Sequence, residues 1–147
     1  MAYAHILLTS DLSDEALRAF RPVADLARAS GARITLLHVV QVMTETAQGG
    51  MLATPILPPD MNEAKRTAEA ELEKQAAALA GVEVSLEVSS GQNVSEVVAE
   101  FADACGADLI ALSTHGRSGF RRMVLGSVAE GVIRHAHVPV LCFPPGK

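Results

Sequence analysis

The chain has no tryptophan, one tyrosine and four phenylalanines among 147 residues, so its interior must be filled by alanine, valine, leucine and isoleucine. Its two cysteines, Cys105 and Cys142, lie on apolar stretches and form no C-x-x-C pair. That excludes a disulfide scaffold and reads as free thiols in a reducing, cytoplasmic setting. No apolar run approaches the roughly 20 residues needed to cross a bilayer, so no membrane partner is expected. The opening Met-Ala-Tyr-Ala-His carries no basic segment, and the apolar run that follows is too short for a signal peptide. Basic residues are outnumbered, 12 Lys and Arg against 17 Asp and Glu, for a net charge of −5. A nucleic-acid partner needs a basic face, and none is offered. Ligand spacing for a metal is also missing. His135-Ala-His137 sits where a helix ends, a favourable place for imidazoles, and no third ligand accompanies it.

What is present is alternation. His5-Ile-Leu-Leu-Thr9 reads as a short buried strand. Ser13 then caps a helix whose apolar positions are Ala16, Leu17, Phe20, Ala24 and Ala27, and Pro22 predicts a kink or a late start. Residues 33–40 are apolar almost throughout, as in a strand covered on both faces. Residues 41–60, with Gly49, Gly50, Pro55, Pro58 and Pro59, form a long loop. The Ala-, Glu- and Lys-rich run 61–80 predicts a helix ended by Gly81. Residues 82–88 alternate apolar and polar, the pattern of an edge strand with one wet face. Asn93 caps a helix that Gly106 ends, residues 109–112 form a fourth strand, and residues 138–143 a fifth. Five strands and four helices in strict order predict one α/β domain over residues 1–147, a parallel sheet with helices on both faces.

The stretch from Leu109 to Ser127 carries the chemistry. A buried strand breaks into a loop holding Gly116, Gly119 and Gly126, with Arg117, Arg121 and Arg122 between them. It ends on Ser127-Val128-Ala129-Glu130, which reads as a capping box, Ser127 covering the first N–H groups and Glu130 reaching back. Strand, glycine loop and helix start together make an anion cradle, because backbone N–H groups and the helix dipole point at the same place. The same residues also suit a solvated surface loop whose glycines only turn the chain. His115 lies among the glycines with no acid or nucleophile placed beside it, and shapes the loop. His38 reads as a hydrogen-bonded histidine on a central strand.

Thr114-His115-Gly116-Arg117-Ser118-Gly119 and Leu125-Gly126-Ser127-Val128-Ala129-Glu130 resemble the nucleotide signature of the universal stress protein family, G-x2-G-x9-G-[S/T]. Its first glycine falls here on Ser113. The opening Thr9-Ser10-Asp11-Leu12-Ser13 keeps the Asp and Ser of the family's Pro-x-Asp-x-Ser and lacks its proline. The resemblance spans the chain and implies a Rossmann-like sheet of order 3-2-1-4-5, whose ligand crevice opens where the order reverses, between strands 1 and 4. It implies an adenine nucleotide, ATP, ADP or AMP, with Mg²⁺ as its accompanying ion. Asp11 and the backbone of Val39 would hold adenine and ribose, and Ser113, His115, Gly116, Arg117, Gly126, Ser127 and Val128 would surround the phosphates. It further implies a homodimer through residues 138–143, apolar on both faces at the second sheet edge. The function implied is a non-catalytic stress-response and signalling module. A slow ATPase or phosphotransferase and a nucleotide-free dimeric scaffold are the alternatives. The loop lacks the Gly-Lys-Ser/Thr of a P-loop, and no general base is placed. A phospho-receiver domain shares the strand count but needs an Asp ending strand 3, where this chain has Ser89-Ser90.

Overall fold

The computed structural model describes residues 2–43, 60–114 and 125–145. Five parallel strands form one sheet: β1 (His5–Thr9), β2 (Arg33–Gln41), β3 (Val84–Gly91), β4 (Leu109–Ser113) and β5 (Val140–Phe143), in the order β3-β2-β1-β4-β5. The helices α1 (Phe20–Ser30), α2 (Met61–Ala76), α3 (Val94–Cys105) and α4 (Ser127–His135) connect them. The expected architecture and strand order are both observed.

Alternation along each strand divides the core in two. Ile6, Leu8, Ile34, Leu36, Leu109 and Ala111 face α1, α2 and the 3₁₀ helix Ala77–Leu79, which ends α2 at Ala76, short of Gly81; Phe20, Val23, Leu72 and Leu79 pack on them. Leu7, Leu37, Val39, Ile110 and Leu112 face α3 and α4, meeting Val98, Ala102, Ala129 and Val132. Most of these side chains are wholly buried, and each fully buried Leu or Ile contributes about 1.5–3 kcal/mol. Only Phe20 in this set is aromatic, so the aliphatic core expected from composition is what forms.

The crossover after β1 starts later than helical periodicity suggests. Ser13 caps a 3₁₀ helix, Asp14–Ala19, and the α-helix begins only at Phe20. Pro22 therefore lies in the first turn, where its missing N–H has no ladder partner to lose. No kink is needed, and the late start is what occurs. Asn93 caps α3 through Ser95 N–H (3.2 Å) and Glu96 N–H (3.5 Å), as its position predicted. Both cysteines are free and half-buried, and burial pushes the Cys142 thiol above its ordinary value.

At the N-terminal edge of the sheet a polar row runs through the buried side chains of His5 and Thr35. Asp108 Oδ2 accepts from Ala4 N–H at 2.9 Å and its Oδ1 from His5 N–H at 3.1 Å. Arg33 Nη2 donates to His5 Nδ1 (3.1 Å), which leaves the proton on Nε2 to donate to Thr35 Oγ1 (2.8 Å). Thr35 in turn meets Ser85 Oγ at 3.0 Å, so the row crosses from β1 through β2 to β3. Burial first, and Arg33 second, hold the His5 imidazole below its ordinary value.

Candidate functional site

The site is built at the opposite, C-terminal edge. β1 and β4 are neighbours, with Leu8 opposite Ala111, so the chain leaves both strands at the same level. From there β1 runs into the 3₁₀ helix and α1 on one face, while β4 leads to α4 on the other. The crevice between them is the reversal point of the strand order.

On the β1 side the turn carrying Asp11 is held tightly. Ser10 N–H donates to Leu37 O (2.9 Å), and His38 Nδ1–H donates to Ser10 O (2.8 Å). His38 is thus the bonded strand histidine that its position suggested. Asp11 Oδ1 accepts from Ser13 N–H (3.0 Å) and from the Ser13 hydroxyl, an Asx turn leading into the Ser13 cap. Between them Leu12 has φ of +67°, the left-handed region that a branched side chain seldom occupies. The amide of Gln75 on α2 spans this strained step, bonded to the Ser10 hydroxyl before it (2.5 Å) and to the Ser13 carbonyl after it (3.1 Å). Arg18, on the 3₁₀ helix, has one guanidinium nitrogen buried without a hydrogen-bond partner among the described residues.

On the β4 side, Gly126 N–H donates to Thr114 O at 3.1 Å, closing the two ends of the glycine loop on each other. Gly126 has φ of −74°, so conformational freedom is not the reason for glycine here. A Cβ built on it falls 2.5 Å from the Thr114 carbonyl oxygen, and only glycine admits that approach. The expected capping box is corrected by the same contact. Gly126 is the N-cap of α4, with no side-chain cap bond, and Ser127 is the first helical residue. Glu130 turns to Arg134 (3.1 Å) instead of reaching back. The first ladder bond runs from Glu130 N–H to Gly126 O, so the N–H groups of Ser127, Val128 and Ala129 precede it and point out of the helix end.

Ser113, where the motif has its first glycine, donates its hydroxyl to Ala16 O at 3.2 Å. Its side chain lies on the α1 face, turned from α4, and ties the end of β4 to the element that follows Asp11. Val39 is buried on β2, two residues beyond Leu37, whose carbonyl takes the Ser10 N–H. Strand alternation sends the Val39 N–H and carbonyl the same way, toward β1 and past its last rung. Asp11, Val39, Ser113, Gly126, Ser127 and Val128 therefore share one edge of the sheet. His115, Gly116 and Arg117, with Gly119, Arg121 and Arg122, lie outside the described residues.

The histidines at the end of α4 turn to carboxylates on α3, His137 Nδ1 to Asp103 at 2.8 Å and His135 Nε2 to Glu96 at 3.9 Å. Among the described residues no group of three His, Cys, Asp or Glu is arranged to hold a metal.

The sequence profile described as the Universal stress protein family matches residues 2–144. A universal stress protein of Methanocaldococcus jannaschii is 34% identical over 143 residues, covering 95% of this chain and 81% of the relative. The chain belongs to the universal stress protein family. Among solved members, a universal stress protein of Archaeoglobus fulgidus in complex with dAMP is 28% identical, with a TM-score of 0.61 and coverage of 97% of this chain and 98% of its own. A universal stress protein in complex with cAMP aligns at a TM-score of 0.70 and 23% identity, covering 99% of this chain and 100% of its own.

Proposed function

We propose that this universal stress protein binds an adenine nucleotide in the crevice between β1 and β4 and acts by binding, not turnover, in a homodimer. One observation carries the reading. The α4 N-terminus has no side-chain cap, and its first three N–H groups point out of the helix end, which lies at the same sheet edge as Asp11. A phosphate there receives several N–H donors and the positive end of the helix dipole, worth about 0.3–1 kcal/mol at an exposed end before the hydrogen bonds are counted. The dAMP complex of the Archaeoglobus relative supports an adenine nucleotide as the occupant.

In this reading Ser127 and Val128 bind the phosphates through N–H, with the Ser127 hydroxyl beside them and Gly126 holding the approach open. Gly116, His115 and Arg117 complete the loop side as the motif implies. Asp11 keeps one carboxylate oxygen on Ser13 and offers the other to the ribose hydroxyls, while Val39 offers backbone N–H and carbonyl to adenine. Ser113 acts as a brace between β4 and the 3₁₀ helix rather than as a phosphate ligand. Mg²⁺, when bound, arrives with a triphosphate, since this ion usually keeps several waters and binds through one or two carboxylates plus substrate phosphates.

Dimerisation uses β5. Among the described residues this strand ends the sheet with one side of its backbone unpaired, and its own Leu141 is 37% exposed. Leu17, on the 3₁₀ helix that packs against β5, is likewise 37% exposed and widens the apolar margin. Antiparallel pairing with a second copy across a two-fold axis satisfies both the strand edge and the leucines.

Isothermal titration with ATP and Mg²⁺, and with AMP, tests the binding reading. Micromolar affinity that is lost in Asp11→Ala supports it, and absence of binding to either nucleotide removes it. Sedimentation at micromolar concentration tests the dimer, and a monomer there rules it out.

A further inference from the structure

We propose that Gln75 of α2 is a positioning residue of the nucleotide site, acting by locking the Asp11 turn; the affinity part of this rests on the function proposed above. Three observations meet at one step of the chain. Leu12 is held at φ +67°, an unfavourable backbone for a side chain branched beyond Cβ. Its N–H is tied to Ser10 Oγ (3.0 Å), and that hydroxyl donates to Gln75 Oε1 (2.5 Å). Gln75 Nε2 then donates to Ser13 O (3.1 Å). One amide therefore grips the residue before the Asp11-Leu12 step and the residue after it.

The chemistry demands an amide. Ser10 brings a donor and Ser13 an acceptor, and only a group carrying both a carbonyl and an NH₂ answers both. Glutamate keeps the first bond and sets a carboxylate against the Ser13 carbonyl. Alanine loses both bonds. Gln75 touches neither of the groups assigned to the ligand, so its effect passes through the turn. A turn already fixed in the ligand-free protein aims the Asp11 carboxylate without loss of ordering entropy on binding. It also couples α2 to the site, because any shift of the turn must pull on this amide.

The test uses the whole chain and five variants: Gln75→Ala, Gln75→Glu, Leu12→Gly, the pair Leu12→Gly with Gln75→Ala, and the control Glu73→Gln. In ligand-free protein, amide hydrogen exchange at Leu12 and Ser13 should quicken about tenfold in Gln75→Ala, as local opening becomes easier. It should not change in Glu73→Gln, an exposed control on the same helix. ATP should bind about tenfold more weakly to Gln75→Ala and to Gln75→Glu. Glycine accepts a positive φ freely, so adding Gln75→Ala to Leu12→Gly should weaken binding by less than about twofold. That rescue distinguishes turn locking from general support of α2. Unchanged exchange at Leu12 and Ser13, or quickening spread equally over α2 and β1, overturns the positioning role. Should the unaltered protein bind no ATP, the nucleotide reading falls, and the exchange experiment alone upholds or overturns the role of Gln75.

Discussion

The two edges of the sheet are both polar, and they are polar in different ways. At the N-terminal edge every partner of His5 is a neighbour: Arg33 and Thr35 on its ring, Asp108 on its N–H, with Ser85 closing the row. Its centre, His5 and Thr35, is buried with both ring nitrogens of His5 partnered, the condition under which polar groups stabilise a core rather than weaken it. At the C-terminal edge one side is braced and the other is left open. The Asp11 turn is held by side chains from β2 and α2, while α4 begins at a glycine that offers no cap. Satisfied polar groups maintain the fold, and donors without a cap are what a ligand can use. Substitutions at the two edges should therefore separate stability from binding.

The largest effect is expected at Gly126. In Gly126→Val the new Cβ falls 2.5 Å from Thr114 O, and the start of α4 must move. ATP affinity should drop by more than about a hundredfold in calorimetric titration, roughly 2.7 kcal/mol. A variant that binds normally would break the assignment of the α4 end to the phosphates. At the other edge, Thr35→Val keeps the shape and leaves His5 Nε2–H buried without its acceptor. Denaturant unfolding should show a loss of about 1–3 kcal/mol, with nucleotide affinity unchanged.

Asp11→Asn sharpens the contrast within the site. The amide oxygen can still accept from Ser13, so the turn survives while the charge is lost. Affinity should fall about threefold to tenfold with no change in unfolding midpoint, since a hydrogen bond to a charged group is worth about 1.5–3 kcal/mol against about 0.5–1.5 for a neutral one. The smallest effect is that of pH at the N-terminal edge. The folded protein holds His5 neutral, below the ordinary value of 6.5, so the unfolded chain takes up its proton first as pH falls. Stability from this residue is complete above that value and is lost as pH falls through it toward the lower folded value. Urea midpoints at about pH 7.5 and about pH 5 should differ more for the unaltered chain than for His5→Gln.

Much of this was legible in the sequence because the strongest signals are local. Apolar runs of strand length, the caps Ser13 and Asn93, and the terminating glycine Gly106 mark elements where they begin or end. The alternating residues 82–88 marked an edge strand, although β3 itself runs from Val84 to Gly91, where pairing with β2 extends it. The Ser127 cap was misread because the spacing Ser-x-x-Glu cannot reveal that Thr114 O, twelve residues back, captures the Gly126 N–H. Gln75 was invisible for the same reason. Nothing separates it from the other polar residues of α2 until the fold brings it to Ser10 and Ser13, more than sixty residues away. The Ser113 departure from the family motif is visible in sequence, but its consequence, a bond to Ala16 O, is a property of the packed faces.

The most direct measurement is a titration of the ¹⁵N-labelled protein with ATP and Mg²⁺, followed amide by amide. Shifts should concentrate at the Ser10–Ser13 turn, at Val39 and at Ser127 to Ala129, while His5, Thr35 and Ser85 stay still. Shifts gathered at the N-terminal edge, or none at the start of α4, would contradict the assignment of the nucleotide to the crevice between β1 and β4.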